Sequence, residues 1–366
     1  MPLLCTNCRQ PYPTAGTPYR CSRCGGLFDY TEPFPYDPLK IEPALPGIWR
    51  YRHSFPLLAD APPLSLGEGN TPLVWGESFG GQVAFKCEYL QPSGSFKDRG
   101  SATLVSFLFS RGARTAVEDS SGNAGASFAA YAARAGIQSR LFVPDSASGP
   151  KRAQIEAYGA EVVRVLGPRS NASEAVLRAV ESPGSAAVYA SHAYLPFNLP
   201  GYATLAYELV EQLGQAPGSL VTPVGQGGLL VGAWRGFTAL KLAGVIDRLP
   251  RLVGVQARQC APLWAISQYG LAGAGWVAEG PTLAEGIRVL RPLRGDAVLG
   301  AVAESGGHFL AVDEAQIGAG REALARMGFF VEPTSAVVWD ALNQSAGRLP
   351  DPLVVVLTGS GFKSAL

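Results

Sequence analysis

Short β-branched runs alternating with Ala- and Leu-rich segments constrain this chain more than any other feature. The runs VAFKCEY (83–89), TAVE (115–118), RLFV (140–143), EVVRV (161–165), AAVYA (186–190), SLVTPV (219–224), RLVGVQ (251–256) and PLVVVL (352–357) predict buried strands. Between most of them lie helical patterns such as ASFAAYAARAG, ASEAVLRAVE, YATLAYELVEQLG and REALARMG. That alternation predicts α/β architecture with parallel, twisted sheets flanked by helices on both faces. With 366 residues, and roughly 150 residues to a domain, there is room for two lobes. Hydrophobic residues make up 47% of the chain and charged residues 16%, below the roughly 25% charged usual in soluble domains, which excludes disorder.

Charge excludes further classes. Thirty Lys and Arg against 29 Asp and Glu leave a net charge of +1, so no global field gathers nucleic acid or an anionic membrane. No segment approaches the roughly 20 apolar residues that span a bilayer, and MPLLCTNCRQ lacks the basic start and apolar core of a signal peptide. A cytoplasmic protein is expected. Four of the six cysteines, Cys5, Cys8, Cys21 and Cys24, form two CxxC pairs twelve residues apart, a zinc-ribbon spacing that favours structural zinc over disulfides or free thiols. Four protein ligands leave no open position, so such a metal staples and does not catalyse. Arg9, Arg20 and Arg23 against Asp29 give the module little basic character for nucleic acid. The proline-rich TEPFPYDPLKIEPALPGIW that follows predicts a linker. Cys87 and Cys260 are expected as buried hydrophobes, and His53, His192 and His308 as structural residues, with His192 close to a segment considered below.

Open α/β sheets bind ligands beyond the carboxyl ends of their strands, and the unusual loops there are DSSGNAG (119–125), PVGQGGLL (223–230) and TGSGFK (358–363). A fourth, PSGSFKDRG (92–100), precedes a helical run. PVGQGGLL is either an ordinary turn or an anion cradle, in which backbone N–H groups converge at a helix start. Without GK[ST], and with Leu230 closing the GxGxxG pattern, it suits a single phosphate monoester better than ATP or NAD. Lys97 is either a surface lysine at a helix start or a desolvated Schiff-base nucleophile. Ser120, Ser121 and Asn123 either cap a helix or bind a carboxylate or phenolic oxygen. Together, a lysine, a single-phosphate cradle and Asn and Thr hydrogen-bonders are what pyridoxal 5′-phosphate requires.

These motifs resemble the fold type II, tryptophan synthase β-like, pyridoxal-phosphate enzymes, and among them the threonine synthases, over residues 65–366. The resemblance is carried by GEGNTPL (67–73), PSGSFKDRG, SSGNAGASFAAYAARAG (120–136), PVGQGGLL, LAEGIR (283–288), FVEPTSA (330–336) and LTGSGFK (357–363). It implies a two-lobed enzyme: a ribbon over 1–30, a large cofactor domain from 31–100 and 200–366, and a smaller α/β domain over 101–199. It also implies that Lys97 carries the cofactor and moves substrate protons, with Phe96 beside it and Asn123 on the 3′ oxygen. Gly225, Gln226, Gly227, Gly228 and Leu229 would wrap the phosphate, although family loops often place a hydroxyl or Asn at the position of Leu229. Thr358 would face the pyridine nitrogen, and Ser120, Ser121 and Gly122 would receive the substrate carboxylate. Lys151, Arg152 and HAYLPFNLPGYAT (192–204) would build substrate contacts and a second phosphate site. Pro200, Gly201 and Ala203 stand where the family has Glu, Gly and Lys, and Lys151 and Arg152 also suit a solvated helix start. The implied reaction converts O-phospho-L-homoserine and water to L-threonine and phosphate, by γ-elimination and β-hydration of an amino-acid substrate in a homodimer. The alternatives are a threonine or serine ammonia-lyase, another β-replacement enzyme, or a non-catalytic binding protein of the same fold.

Overall fold

The computed structural model describes residues 1–58, 61–145, 149–167 and 169–364. In chain order its elements begin with β1 (Leu3–Cys5), β2 (Phe28–Tyr30), β3 (Leu73–Ser78), β4 (Gly81–Lys86), α1 (Lys97–Ser110), β5 (Thr115–Glu118), α2 (Asn123–Ala135), β6 (Gln138–Pro144), α3 (Gly149–Ala157), β7 (Glu161–Val165), α4 (Arg169–Glu181) and β8 (Val188–Tyr189). They continue with α5 (Leu199–Leu213), β9 (Ser219–Pro223), α6 (Gly228–Leu242), β10 (Arg251–Ala257), α7 (Pro262–Tyr269), α8 (Gly295–Glu304), β11 (His308–Val312), α9 (Glu314–Arg326), α10 (Pro333–Gln344) and β12 (Leu353–Val356).

The chain divides into two compact units. The first holds residues 1–69 and 97–201, the second 70–96 and 202–364. In the first, an all-parallel sheet runs in the order β7-β6-β5-β8, and β1 and β2 pair antiparallel. Val117, Phe142, Val176 and Tyr189 form part of its core. The N-terminal residues pack on this unit through aromatic side chains. Tyr12 meets Phe28, Phe107 and Phe197 edge-on, and Phe107 stacks on Phe197 with ring centroids 3.5 Å apart.

The second unit is built on a six-stranded sheet ordered β11-β10-β9-β12-β4-β3, parallel except at the β3–β4 edge. Val83, Phe85, Val221, Val253, Val255 and Val355 supply its buried face, packed against Val337, Val338 and Leu342 of α10. The expected strands are present, although the 186–190 run is strand only at Val188–Tyr189 and the short β1 and β2 are additional. The run from Val83 is ordered as strand only to Lys86, because Glu88–Leu90 turn as a 3₁₀ helix. Two further strands, β3 and β11, lie at sheet edges; β3 is largely exposed and so needs no continuous apolar run. Among the described residues no helix is long and apolar enough to cross a membrane.

One polar network inside this unit is centred on an ion pair sealed from water. Lys86 at the end of β4 and Glu208 on α5 are 0% and 1% exposed and pair at 3.0 Å. Lys86 Nζ also donates to Thr71 O at 2.8 Å and Gln212 Oε1 at 2.9 Å, while Glu208 Oε1 accepts the Asn70 N–H at 2.9 Å. Thr71 Oγ1 then donates to Glu88 Oε1 at 2.6 Å. Removing one member of such a pair strands the other charge in a low dielectric. Lys86→Met should therefore destabilise the protein by roughly 3–5 kcal/mol, measured as a lower urea midpoint; an unchanged midpoint would show that Glu208 protonates without cost.

Candidate functional site

In the second unit β9, β12 and β4 lie side by side and parallel, so the segments leaving their carboxyl ends emerge along one sheet edge. The loop that leads to Lys97 is laced to the exit of β12. Phe96 donates its N–H to Thr358 O at 3.0 Å, Ser360 donates to Gly94 O at 2.9 Å, and Lys363 Nζ donates to Ser93 O at 2.7 Å. Ser335, in the first turn of α10, places Oγ 3.0 Å from Thr358 Oγ1 and accepts the Gly359 N–H at 2.8 Å. Its neighbour Thr334 accepts the Gly286 N–H at 3.1 Å, and Gly225 packs so closely on Ile287 that a Cβ would stand 3.0 Å from its Cα. The segments around Ser95, Gly225, Gly286, Ser335 and Thr358 thus converge within one unit.

At the start of α6, Gly227 holds φ at +80° and caps the helix without any side-chain acceptor. The N-cap thus offers the first-turn N–H groups of α6 no side chain, and they carry the positive end of the helix dipole. Backbone in this arrangement can receive an anion. Gln226 Oε1 accepts the Leu293 N–H at 3.0 Å, and the Phe96 ring lies 5.4 Å from that of Tyr202, against which Gly228 packs. Ser95 Oγ is buried without a hydrogen-bond partner, a deficit that a polar group on a ligand would relieve. Thr358 is buried, and its hydroxyl bonds to another neutral hydroxyl. A helix start without a side-chain cap, a neutral hydroxyl pair and an orphaned buried hydroxyl fit pyridoxal phosphate.

In the first unit Lys97 opens α1 and is half-buried. The next residue, Asp98, accepts a 2.6 Å bond from Ser127 on α2, and Ser127 Oγ lies 2.7 Å from Ser101 Oγ. These bonds pin the starts of α1 and α2 together, bringing Lys97 near the end that begins with Asn123. No side chain caps α2 at Gly122. Gly125 is required by close approach, because a Cβ there would stand 1.9 Å from Ser120 O. Ser120 is buried, while Ser121, Gly122 and Asn123 are half-buried. On α3, Lys151 is buried, unlike a lysine at a solvated helix start; Arg152 is partly exposed and lies 3.9 Å from Glu156.

Sequence inspection missed several polar side chains here. Glu118, at the end of β5, is 1% exposed and lies 2.7 Å from His192 Nδ1. Asp119 accepts from Tyr189 at 2.9 Å and from Ser173 at 2.5 Å. The available signal was two consecutive carboxylates ending a buried strand, where charge needs partners.

The four N-terminal cysteines converge, with all Sγ atoms within 4.8 Å of one another and the closest pairs at 3.4 and 3.6 Å. Thiolates at about 2.3 Å from a tetrahedral metal stand at about this spacing. Although burial opposes it, backbone N–H groups of Cys8 and Asn7 bring the Cys5 thiol down to about 7, while against the Gly26 N–H the neighbouring Cys8 and Cys5 push Cys24 up to about 12. Cys87 is the opposite case, buried and pushed up to about 11 by desolvation. Cys260 is buried as well, and its pKa is also raised by desolvation.

Residues 64–359 match the family described as pyridoxal-phosphate dependent enzyme. The chain is similar to the threonine synthase of Methanocaldococcus jannaschii, 32% identical over 98% of this chain and 92% of the relative. It is also similar to the threonine synthases of Synechocystis sp. (36% identical; 86% and 82% covered) and Mycobacterium tuberculosis (35%; 87% and 89%). Among solved structures, the threonine deaminase of T.th. superposes with a TM-score of 0.67 at 28% identity, covering 79% of this chain and 92% of that one. Maize serine racemase shares the fold, with a TM-score of 0.67 at 22% identity over 80% and 88% of the two chains. Gly227→Ala, which adds a Cβ at positive φ 2.2 Å from Val298 Cγ2, should cost roughly 1–3 kcal/mol of local strain. It should also lower the affinity for pyridoxal phosphate, read by absorbance titration; unaltered cofactor affinity would place the phosphate elsewhere.

Proposed function

The chain belongs to the pyridoxal-phosphate dependent enzyme family, and from that premise we propose that it is a threonine synthase. It converts O-phospho-L-homoserine and water to L-threonine and phosphate. The observation that carries this reading is 32–36% identity to threonine synthases over most of the chain, extending with one relative to 98% of it. When bound, pyridoxal phosphate supplies an electron sink for negative charge at carbons next to the substrate amine. Lys97 would hold it covalently and, once released, move protons at the α and β carbons. The α6 start with Gly225, Gln226, Gly227, Gly228 and Leu229 would hold its phosphate, with Phe96 beside the ring and Asn123 on the 3′ oxygen. Thr358, an uncharged hydroxyl bonded to Ser335, would face the ring nitrogen. Lacking a carboxylate, that contact does not stabilise a protonated ring, which favours elimination and replacement over transamination.

Ser120, Ser121 and Gly122 would bind the substrate α-carboxylate at the uncapped start of α2, where N–H groups and the helix dipole favour an anion. Buried Lys151, with Arg152, would serve the departing phosphate. In the N-terminal module Cys5, Cys8, Cys21 and Cys24 would bind structural zinc; closed tetrahedral thiolate coordination leaves it no catalytic position. The family resemblance further supports a cytoplasmic homodimer.

The test gives purified holoenzyme O-phospho-L-homoserine, L-threonine and L-serine in parallel and quantifies phosphate, amino acids and keto acids. Equal phosphate and threonine are expected, with both lost, together with the visible cofactor band, in Lys97→Ala. Keto acid from threonine or serine without phosphate release would instead make the protein an ammonia-lyase. Cys5→Ser should release zinc and lower the melting temperature while the surviving folded protein keeps its turnover. Activity lost in proportion to metal, with melting unchanged, would move the metal into the active site.

A further inference from the structure

Two consecutive buried carboxylates end β5, and each is held by a partner from the segment around β8. Glu118 and Asp119 lie where β5 gives way to the Ser120–Gly122 turn, and β8 is the neighbouring parallel strand. Glu118 uses both oxygens. Oε1 lies 2.7 Å from His192 Nδ1, and Oε2 accepts the Ser120 N–H at 2.6 Å. Ser120 Oγ in turn accepts the Gly122 N–H at 3.3 Å. His192 is anchored from its own side, since Asn198 Nδ2 donates to its carbonyl at 2.6 Å. The imidazole is 15% exposed beside a carboxylate that is 1% exposed.

We propose that Glu118 and His192 are a positioning pair that sets the Ser120–Gly122 turn in the geometry that grips the substrate α-carboxylate. This inference rests on the assignment of that turn as the carboxylate site. A turn needing only an acceptor for the Ser120 N–H would be served by a neutral Asn or Ser. A buried carboxylate is far more costly, and it adds negative charge beneath a site for an anion. What the charged group provides is two strong, directional acceptors on one rigid plane. With Nδ1–H donating to Oε1, the imidazole fixes the carboxylate rotamer and leaves Oε2 aimed at the backbone of the turn. Asp119 is locked separately by Tyr189 and Ser173, so the residue after Glu118 cannot follow a rotation of the turn. His192 acts on the substrate through Glu118, without itself belonging to the carboxylate site.

The test compares the holoenzyme with His192→Ala, His192→Asn and Glu118→Gln. Losing the donor that orients Glu118 should raise KM for O-phospho-L-homoserine about tenfold, the scale of one charge-assisted hydrogen bond, with kcat changed less than about twofold. The cofactor band should be unaltered. The L-serine concentration that half-shifts this band should rise by the same factor, whereas that for L-serinamide, which lacks the carboxylate, should not. Glu118→Gln keeps an acceptor for Ser120 and should fall between wild type and His192→Ala; if His192→Ala fails to fold, Glu118→Gln carries the test. Equal losses for serine and serinamide, or an unchanged KM, would overturn the proposal. A protein that does not turn over O-phospho-L-homoserine would refute the threonine synthase reading alone, because the serine and serinamide titrations still measure the pair.

Discussion

An ammonium and a carboxylate sealed from water organise the second unit. Lys86 and Glu208 tie the end of a sheet strand to α5 and to the Asn70–Thr71 backbone. Neither charge is solvated, so every neighbour must be a placed donor or acceptor, and the segment that supplies them has little freedom. Thr71 passes the constraint to Glu88, and Glu88 to Gln91, which accepts the Gly94 N–H. Between Gly94 and Lys97 stand only two residues, Ser95 and Phe96. The rigidity of the loop ahead of Lys97 therefore begins in a buried ion pair.

The two units differ in the kind of polarity they hold. In the second, the surroundings of Thr358 are hydroxyls and main-chain groups, with Ser335 and Gly359 as partners. In the first, the turn that opens α2 is underlain by ionisable side chains whose partners lie on β8, α4 and the segment after β8. Uncharged surroundings suit a group whose charge state should be left alone. Charged, firmly held surroundings suit a backbone that must not drift.

Much of the architecture was legible in the sequence because its signals are local. TAVE and EVVRV became β5 and β7 residue for residue, since short segments rich in Thr and Val between helical patterns favour strand. The ribbon cysteines were legible for the same reason, their spacing being set by single turns. Gly227 and Gly125 were visible as glycines within motifs, although only the structure shows that one needs positive φ and the other close approach. The edge strand β3 escaped notice because exposure removes its apolar pattern. The Glu118–His192 pair escaped because 74 residues separate its members and only the adjacency of β5 and β8 unites them. A lone histidine and a strand-end glutamate each have an ordinary explanation until topology joins them.

The N-terminal module also shields a surface. Phe107 and Phe197, stacked and buried, are covered by Tyr12, while Tyr19 lies within 5.3 Å of the rings of Tyr189 and Tyr194. Without the module these two aromatic pairs would lose the rings that cover them and expose apolar surface. A relative that dispensed with the ribbon would have to recolour that surface with polar residues or cover it with another segment. The cysteines and these distant aromatics should therefore be gained and lost together, as one inherited unit.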